Sequence, residues 1–326
     1  MRKFTTNLKL LELFLSLIFS IKNKEQFINK IKILCLNILF IINILLINQE
    51  YVLSINSPCI FTFWEPHNSI PGYISLCIDT WKKYFPSNYK IIILDYSNIR
   101  NYLGYNLFKQ ISCKDMSLPI QADAIRVAIL HKFGGIWLDS DSIIINSNFT
   151  TLFNKSDLQM FGNSKTKCHL GVIYANNKSI ILKTWLNEII NNIKIYKHKL
   201  FLKRIFPTKT FKESYAKSRI WCYLGNGILN RLLINETSEK DFKAIDLKYS
   251  NTLPDQLYPN GTPKEKYLNF YFSKNYMNSF LENCKGIIML HNSWTPSKYK
   301  KMSKEEFLHQ DIMLSHLLRR ILNITI

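Results

Sequence analysis

The sequence predicts an α/β fold with a mostly parallel central sheet flanked by helices, and three observations carry that expectation. From Cys59 onward, apolar runs of strand length alternate with longer stretches of helical periodicity. The first two runs, CIFTFW (59–64) and YKIIILDY (89–96), are joined by one helical stretch, GYISLCIDTWKKYF (72–85), which implies a parallel βαβ unit with a right-handed crossover. Residues 121–146, QADAIRVAILHKFGGIWLDSDSIIIN, then hold a helix pattern, a Gly-Gly reversal, an apolar strand and an acid pair.

Ahead of this domain, residues 1–55 read as a helical, membrane-associating extension. In LKLLELFLSLIFSI (8–21), Leu11, Phe14, Leu15, Ile18 and Ile21 share one helical face. No small-residue cleavage site follows it, which argues against a signal peptide. ILCLNILFIINILLI (33–47) is interrupted by Asn37 and Asn43 and falls short of the ~20 residues a bilayer crossing needs. An interfacial helix aided by Lys30 and Lys32 is expected, with a short span of the Golgi-anchor type as the alternative.

The main domain is expected over 56–302. Pro71 sits where a helix starts, a helix runs from about Ile120 to Lys132, and Ile136–Leu138 is a strand. HLGVIYANN (169–177) reads as a strand and Ile180–Ile193 as a helix. Residues 194–219 are basic and without period, WCYLGNGILNRLL (221–233) opens a helix at its glycines, and GIIMLH (286–291) is a strand. The tail 303–326 is expected to pack as one closing helix, started by the S-x-x-E capping box of Ser303 and Glu306.

Composition narrows the function. Lys and Arg number 43 against 23 Asp and Glu, a net charge of +20 that favours an anionic partner such as nucleotide phosphates or an acidic membrane surface. Part of that excess is the Lys of an Asn- and Ile-rich sequence. The lysines gather on no evident helix face and no nucleic-acid motif occurs, so nucleic acid is not an expected partner. The seven cysteines are scattered, odd in number and never spaced C-x-x-C, which argues against a disulfide framework or structural zinc and for a reducing, cytoplasmic setting.

Chemistry is expected at Asp139-Ser140-Asp141, which leaves an apolar strand. In an extended conformation its two carboxylates point the same way and share a hard divalent cation through oxygen. Alone, such a triplet is more often a solvated turn. Asp123 and Arg126 share a helical face three residues apart, a spacing that also suits an ordinary surface ion pair worth a few tenths of a kcal/mol. Gly134-Gly135 turns the chain so that this helix end returns beside the strand carrying Asp139.

Asp123-x-x-Arg126 followed by Gly134-Gly135-Ile136-Trp137-Leu138-Asp139-Ser140-Asp141 resembles the signature of the family 32 glycosyltransferases. FTFWEPHNSIP (61–71) and LCIDTWKKYFP (76–86) resemble more narrowly its capsular polysaccharide synthesis branch. The resemblance spans about 59–300. It implies a GT-A fold, a nucleotide-sugar donor (UDP- or GDP-linked), Mn2+ or Mg2+, retention of anomeric configuration, and a glycan or lipid-linked glycan acceptor. By the same resemblance, Asp123 and Arg126 contact the donor, Asp139 binds donor hydroxyls with help from the metal, and Asp141 is the direct metal ligand. Trp64 lies against the donor base, although Thr62-Phe63 stands where many relatives have His before the Trp. His291-Asn292-Ser293-Trp294 resembles the family's closing segment, in which His291 or Asn292 completes the metal shell and Trp294 touches the leaving phosphate. Acceptor recognition falls to His169, Leu170 and Gly171 and to Gly225, Asn226 and Gly227, where glycines permit close backbone approach. Two rivals remain: a phosphatase of the haloacid dehalogenase type with Asp139 as nucleophile, and a basic membrane- or nucleic-acid-binding module whose acids are structural.

Overall fold

Ile60 and Phe61 of the first apolar run pair in parallel with Ile91 and Ile92 of the second, and this pairing begins the central sheet. The computed structural model describes residues 32–33, 37–38, 57–153, 156–162, 168–205, 224–235, 242–245, 250–251, 262–274, 276–284 and 286–325. The chain divides into two units, Met1–Tyr51 and Val52–Ile326. The helix expected over 8–21, nearly all of the one over 33–47, and residues 206–219 lie outside the described residues.

In chain order the strands are β1 (Cys59–Phe63), β2 (Lys90–Leu94), β3 (Gly135–Leu138), β4 (Ser142–Ile144), β5 (Leu158–Gly162), β6 (Cys168–Ala175), β7 (Phe242–Ile245), β8 (Ser250–Asn251) and β9 (Ile287–Met289). Six form the central sheet in the order β2-β1-β3-β6-β5-β7. Its β1–β2, β1–β3 and β5–β7 pairings are parallel, while β6 runs antiparallel to both β3 and β5. A smaller sheet, β4-β9-β8, stands beside it. The expected mostly parallel sheet flanked by helices is therefore present, with β6 as the reversed strand.

The two-residue period of the strands sorts side chains between two cores. Ile60, Ile136 and Leu138 face one core, shared with the Gly72–Tyr84 and Met313–Leu322 helices. Phe61 and Trp137 face the other, shared with the Leu118–Phe133 and Ile180–Ile205 helices. The Leu118–Phe133 helix is buried almost all round, which explains its weak apolar periodicity. Pro119 occupies its first turn, and Gly134 ends it at φ 67°, donating its N–H to the Leu130 carbonyl at 2.8 Å. Gly135 follows at φ 96°, and a Cβ there would lie 2.5 Å from the Cys59 carbonyl oxygen. A side chain at this point would hold β3 away from β1.

Two expectations are corrected. The helix expected to end at Ile193 continues to Ile205, anchored beyond that point by Lys197 Nζ, which donates to the Lys109 carbonyl at 2.9 Å. The tail keeps its capping box but forms two helices, Lys304–Leu308 and Met313–Leu322. Between them Ile312 is extended at φ −136° and buried, and Met313 N–H donates to the Ser273 carbonyl at 2.8 Å, so the helix restarts in a new direction. Among the described residues no helix is long and apolar enough to cross a membrane.

Candidate functional site

β1 and β3 are parallel neighbours, so Trp64 and Asp139 leave the sheet on the same side, and a cleft of about 260 Å³ opens there. Trp64, Arg126, Asp139, Asp141 and Asn292 line it, joined by Phe63, Glu65, Trp137 and the start of the Leu118–Phe133 helix. The chain leaves Trp64 through a cis Glu65–Pro66 bond. The Glu65 carboxylate accepts the Tyr96 N–H, and Tyr96 OH donates to Gln121 Oε1 at 2.8 Å, so three segments close one wall. Trp64 Nε1 is a buried donor with no hydrogen-bond partner among the described residues.

The Asp139-Ser140-Asp141 triplet is a tight turn rather than the extended segment expected. Asp139 N–H continues the β3–β6 ladder to the Gly171 carbonyl at 2.8 Å, and Ser142 N–H closes on the Asp139 carbonyl at 3.0 Å. The Asp141 carbonyl accepts from Leu290 N–H at 3.1 Å, just beyond β9. One carboxylate thus hangs from the central sheet and the other from the smaller one, yet both face the cleft.

Arg126 is the ionic centre of the helix side. Its Nη2 lies 3.3 Å from Asp123 Oδ1 and 3.3 Å from Asp139 Oδ1. Nη1 donates to the Leu170 carbonyl, and the guanidinium stacks over Trp137 with its central carbon 5.1 Å from the ring centre. Trp137 Nε1 also donates to Asp139 Oδ1 at 2.8 Å. Trp137 is therefore a positioning donor. Burial pushes the Asp123 carboxyl up to about 6, against the opposing pull of Arg126.

Asp141 has a different environment. Asn292 N–H donates to its Oδ2 at 2.8 Å, and the nearest cationic influence is Arg126 beyond Asp139. Burial, reinforced by the Asp139 charge, pushes it up to about 7. An ionised carboxylate offers about four acceptor sites, so the bonds already made to Asp139 and Asp141 leave both able to bind a hard cation. Among the described residues no three His, Cys, Asp or Glu side chains converge as a metal cage. A cation held here fits as one that completes its shell with ligand phosphate and water oxygens.

The closing segment is brought to the cleft through Asn292. Its Oδ1 accepts from Tyr73 OH at 2.5 Å. His291 and Trp294 stack with ring centres 4.0 Å apart, and both lie against Tyr267, so their rings form an aromatic knot beside the cleft. Of the residues expected to recognise the acceptor, Leu170 takes the Arg126 hydrogen bond on its carbonyl, and His169 and Gly171 flank it. Gly171 N–H donates to His169 Nδ1 at 3.0 Å, which leaves the proton on Nε2, and burial lowers the His169 pKa. His291 is lowered too, first by burial and then by the nearby His169. A Cβ on Gly171 would lie 3.0 Å from Asp139 Oδ2, and one on Gly225 would lie 2.6 Å from Asp123 Oδ2. Both glycines let the backbone approach the acids closely, whereas Asn226 is placed at the first turn of the Asn226–Asn235 helix with its Oδ1 buried and unpartnered.

The α/β fold thus brings two parallel strands to a cleft that holds an acid pair and a buried arginine. The chain belongs to the capsular polysaccharide synthesis protein family, whose model matches residues 19–310. Among solved structures it is similar to a glycosyltransferase involved in glycosylation of the major capsid of PBCV-1, with 11% identity over 75% of this chain and 97% of that one and a TM-score of 0.35. It is also similar to the apo-form glycosyltransferase GlyE of Streptococcus pneumoniae TIGR4, with 15% identity over 82% of this chain and 60% of that one and a TM-score of 0.38. A third similarity, to the bifunctional glycosyltransferase WbbM, has 11% identity over 84% of this chain and 51% of that one, with a TM-score of 0.43. Among curated proteins no sequence matches the chain.

Proposed function

We propose that the protein transfers a sugar, with retention and with a divalent cation, from a UDP- or GDP-linked donor to a hydroxyl of a growing glycan. The observation that carries this reading is the shared cleft of Trp64, Arg126, Asp139, Asp141 and Asn292. All five were singled out by the family resemblance, and they come from three distant parts of the chain. Trp64 provides a flat wall for the base and an unused N–H donor. Arg126 and Asp139 hold donor hydroxyls and phosphate from the helix side. Asp141 binds the cation, with Asp139 as the shared ligand and His291 or Asn292 at its margin. The cation, when bound, offsets negative charge that develops on the departing diphosphate.

The remaining chemistry belongs to the chain's own residues. Asp139 is committed through Oδ1 to Arg126 and Trp137, which makes it a poor covalent nucleophile and speaks against the phosphatase alternative. The acceptor hydroxyl attacks the anomeric carbon from the face that the diphosphate leaves, as the bond from that carbon to the diphosphate breaks, guided by His169 Nε2–H and the backbone at Gly171 and Gly225. The N-terminal extension places the enzyme on the cytoplasmic face of an anionic membrane. The test is a panel of nucleotide sugars assayed for hydrolysis with Mn2+, with and without chelator, on the wild-type chain and on Asp141→Ala. Near wild-type turnover by Asp141→Ala would end the metal assignment.

A further inference from the structure

Two buried tyrosines that no motif includes hold the closing segment in place. Tyr73, on the first turn of the Gly72–Tyr84 helix, is 0% exposed and donates its hydroxyl proton to Asn292 Oδ1 at 2.5 Å. Tyr267, on the Pro263–Tyr271 helix, is also 0% exposed. Its hydroxyl accepts the His291 N–H at 3.3 Å and meets Thr295 Oγ1 at 3.2 Å. The turn from 291 to 295 closes on itself through Trp294 N–H and Thr295 N–H to the His291 carbonyl, at 2.9 and 3.1 Å. Tyr267 therefore fixes the body of the turn, and Tyr73 fixes the residue in that turn whose backbone N–H reaches the Asp141 carboxylate.

We infer that Tyr73 is a positioning residue for cation binding, acting on Asp141 through Asn292. The relay runs from Tyr73 OH to Asn292 Oδ1, and from Asn292 N–H to Asp141 Oδ2. A carbonyl oxygen engaged by a buried tyrosine is an anchor, so the side chain of Asn292 holds the peptide and its N–H does the work on Asp141. Without the anchor the turn gains rotational freedom at Asn292, and the carboxylate loses the donor that fixes its plane. The inference rests on the proposed role of Asp141 in cation binding.

The test is Mn2+ binding to the full chain, followed by electron paramagnetic resonance of the free ion, alone and with UDP present. Tyr73→Phe keeps the ring and its packing on Phe307, whose ring centre is 5.7 Å away, and removes only the hydroxyl, which also meets the Thr295 side chain. Leaving the Asn292 oxygen without its buried partner is expected to weaken Mn2+ binding about tenfold. Phe307→Leu disturbs the same packing outside the relay and serves as the structural control. It is expected to lower the melting temperature and leave Mn2+ affinity as in the wild type. Asn292→Ala keeps the N–H, so the double variant with Tyr73→Phe should bind Mn2+ no worse than Asn292→Ala alone. Wild-type affinity in Tyr73→Phe, an equal loss in Phe307→Leu, or fully additive losses in the double variant would each overturn the relay. A wild-type chain that binds no Mn2+ even with UDP overturns the metal-dependent reading itself, an outcome distinct from the other three.

Discussion

Asp139 and Asp141 are two residues apart and line one cleft, yet they occupy opposite electrostatic situations. Asp139 sits against a guanidinium that also holds Asp123, and an indole N–H reinforces the contact. Asp141 is held by backbone N–H groups and not by a guanidinium, and burial, then its neighbour's charge, pushes its carboxyl up to about 7. On the helix side a guanidinium thus offsets part of the carboxylate charge within the protein, whereas the turn side carries a carboxylate that an added cation would relieve. Compensation builds a rigid wall, and its absence leaves a place for a ligand.

Removing the compensating group breaks the contrast most severely. Arg126→Ala leaves Asp123 and Asp139 facing each other beside a buried apolar helix. Loss of one partner from such an arrangement costs about 3–5 kcal/mol, measurable as a large fall in the urea midpoint. Asp141→Asn, which keeps shape and removes charge, should instead leave the midpoint nearly unchanged or raised. Its Mn2+-dependent donor turnover should fall by two to three orders of magnitude. If the two variants behaved alike, the division between a structural and a ligand-binding acid would fail.

Acidity sharpens the same division. The Asp141 pKa is raised, so the group is protonated below about 7 and ionised above it. A protonated carboxyl does not ligate, so Mn2+ affinity should weaken about tenfold for each unit that the pH falls below about 7. Titration of Mn2+ binding between about pH 6 and pH 8 checks the sign. A smaller effect is expected on the helix side from Gly225→Ala, whose Cβ meets Asp123 Oδ2 at 2.6 Å. Displacing Asp123 should lower kcat/KM about tenfold without changing Mn2+ affinity.

The helix side was legible in the sequence because it is local. Asp123 and Arg126 are three residues apart, Asp139 lies thirteen further on, and the two glycines between them announce the reversal. β1, β2 and β3 were legible for the same reason, as apolar runs with clear punctuation. β5 was not, because its five residues include Gln159, which is fully buried inside the sheet. The contact from Tyr73 to Asn292 spans 219 positions, and nothing in a helix's apolar face marks which hydroxyl will find a partner. The split of the tail also escaped, since Ile312 fits a continuous helical pattern and takes an extended backbone only because the core accepts its side chain there.

The Gly134–Gly135 reversal carries a consequence for how the cleft is assembled during synthesis. The contact between Arg126 and Asp139 closes a loop of only thirteen residues, and it becomes available as soon as that short piece of chain exists. The bond from Asn292 to Asp141 closes one of 151, with a greater entropic cost of closure. A nascent chain can therefore bring Arg126 to Asp139 long before it contains the residue that orients Asp141, and the cation-binding half of the cleft is the last whose residues are all present.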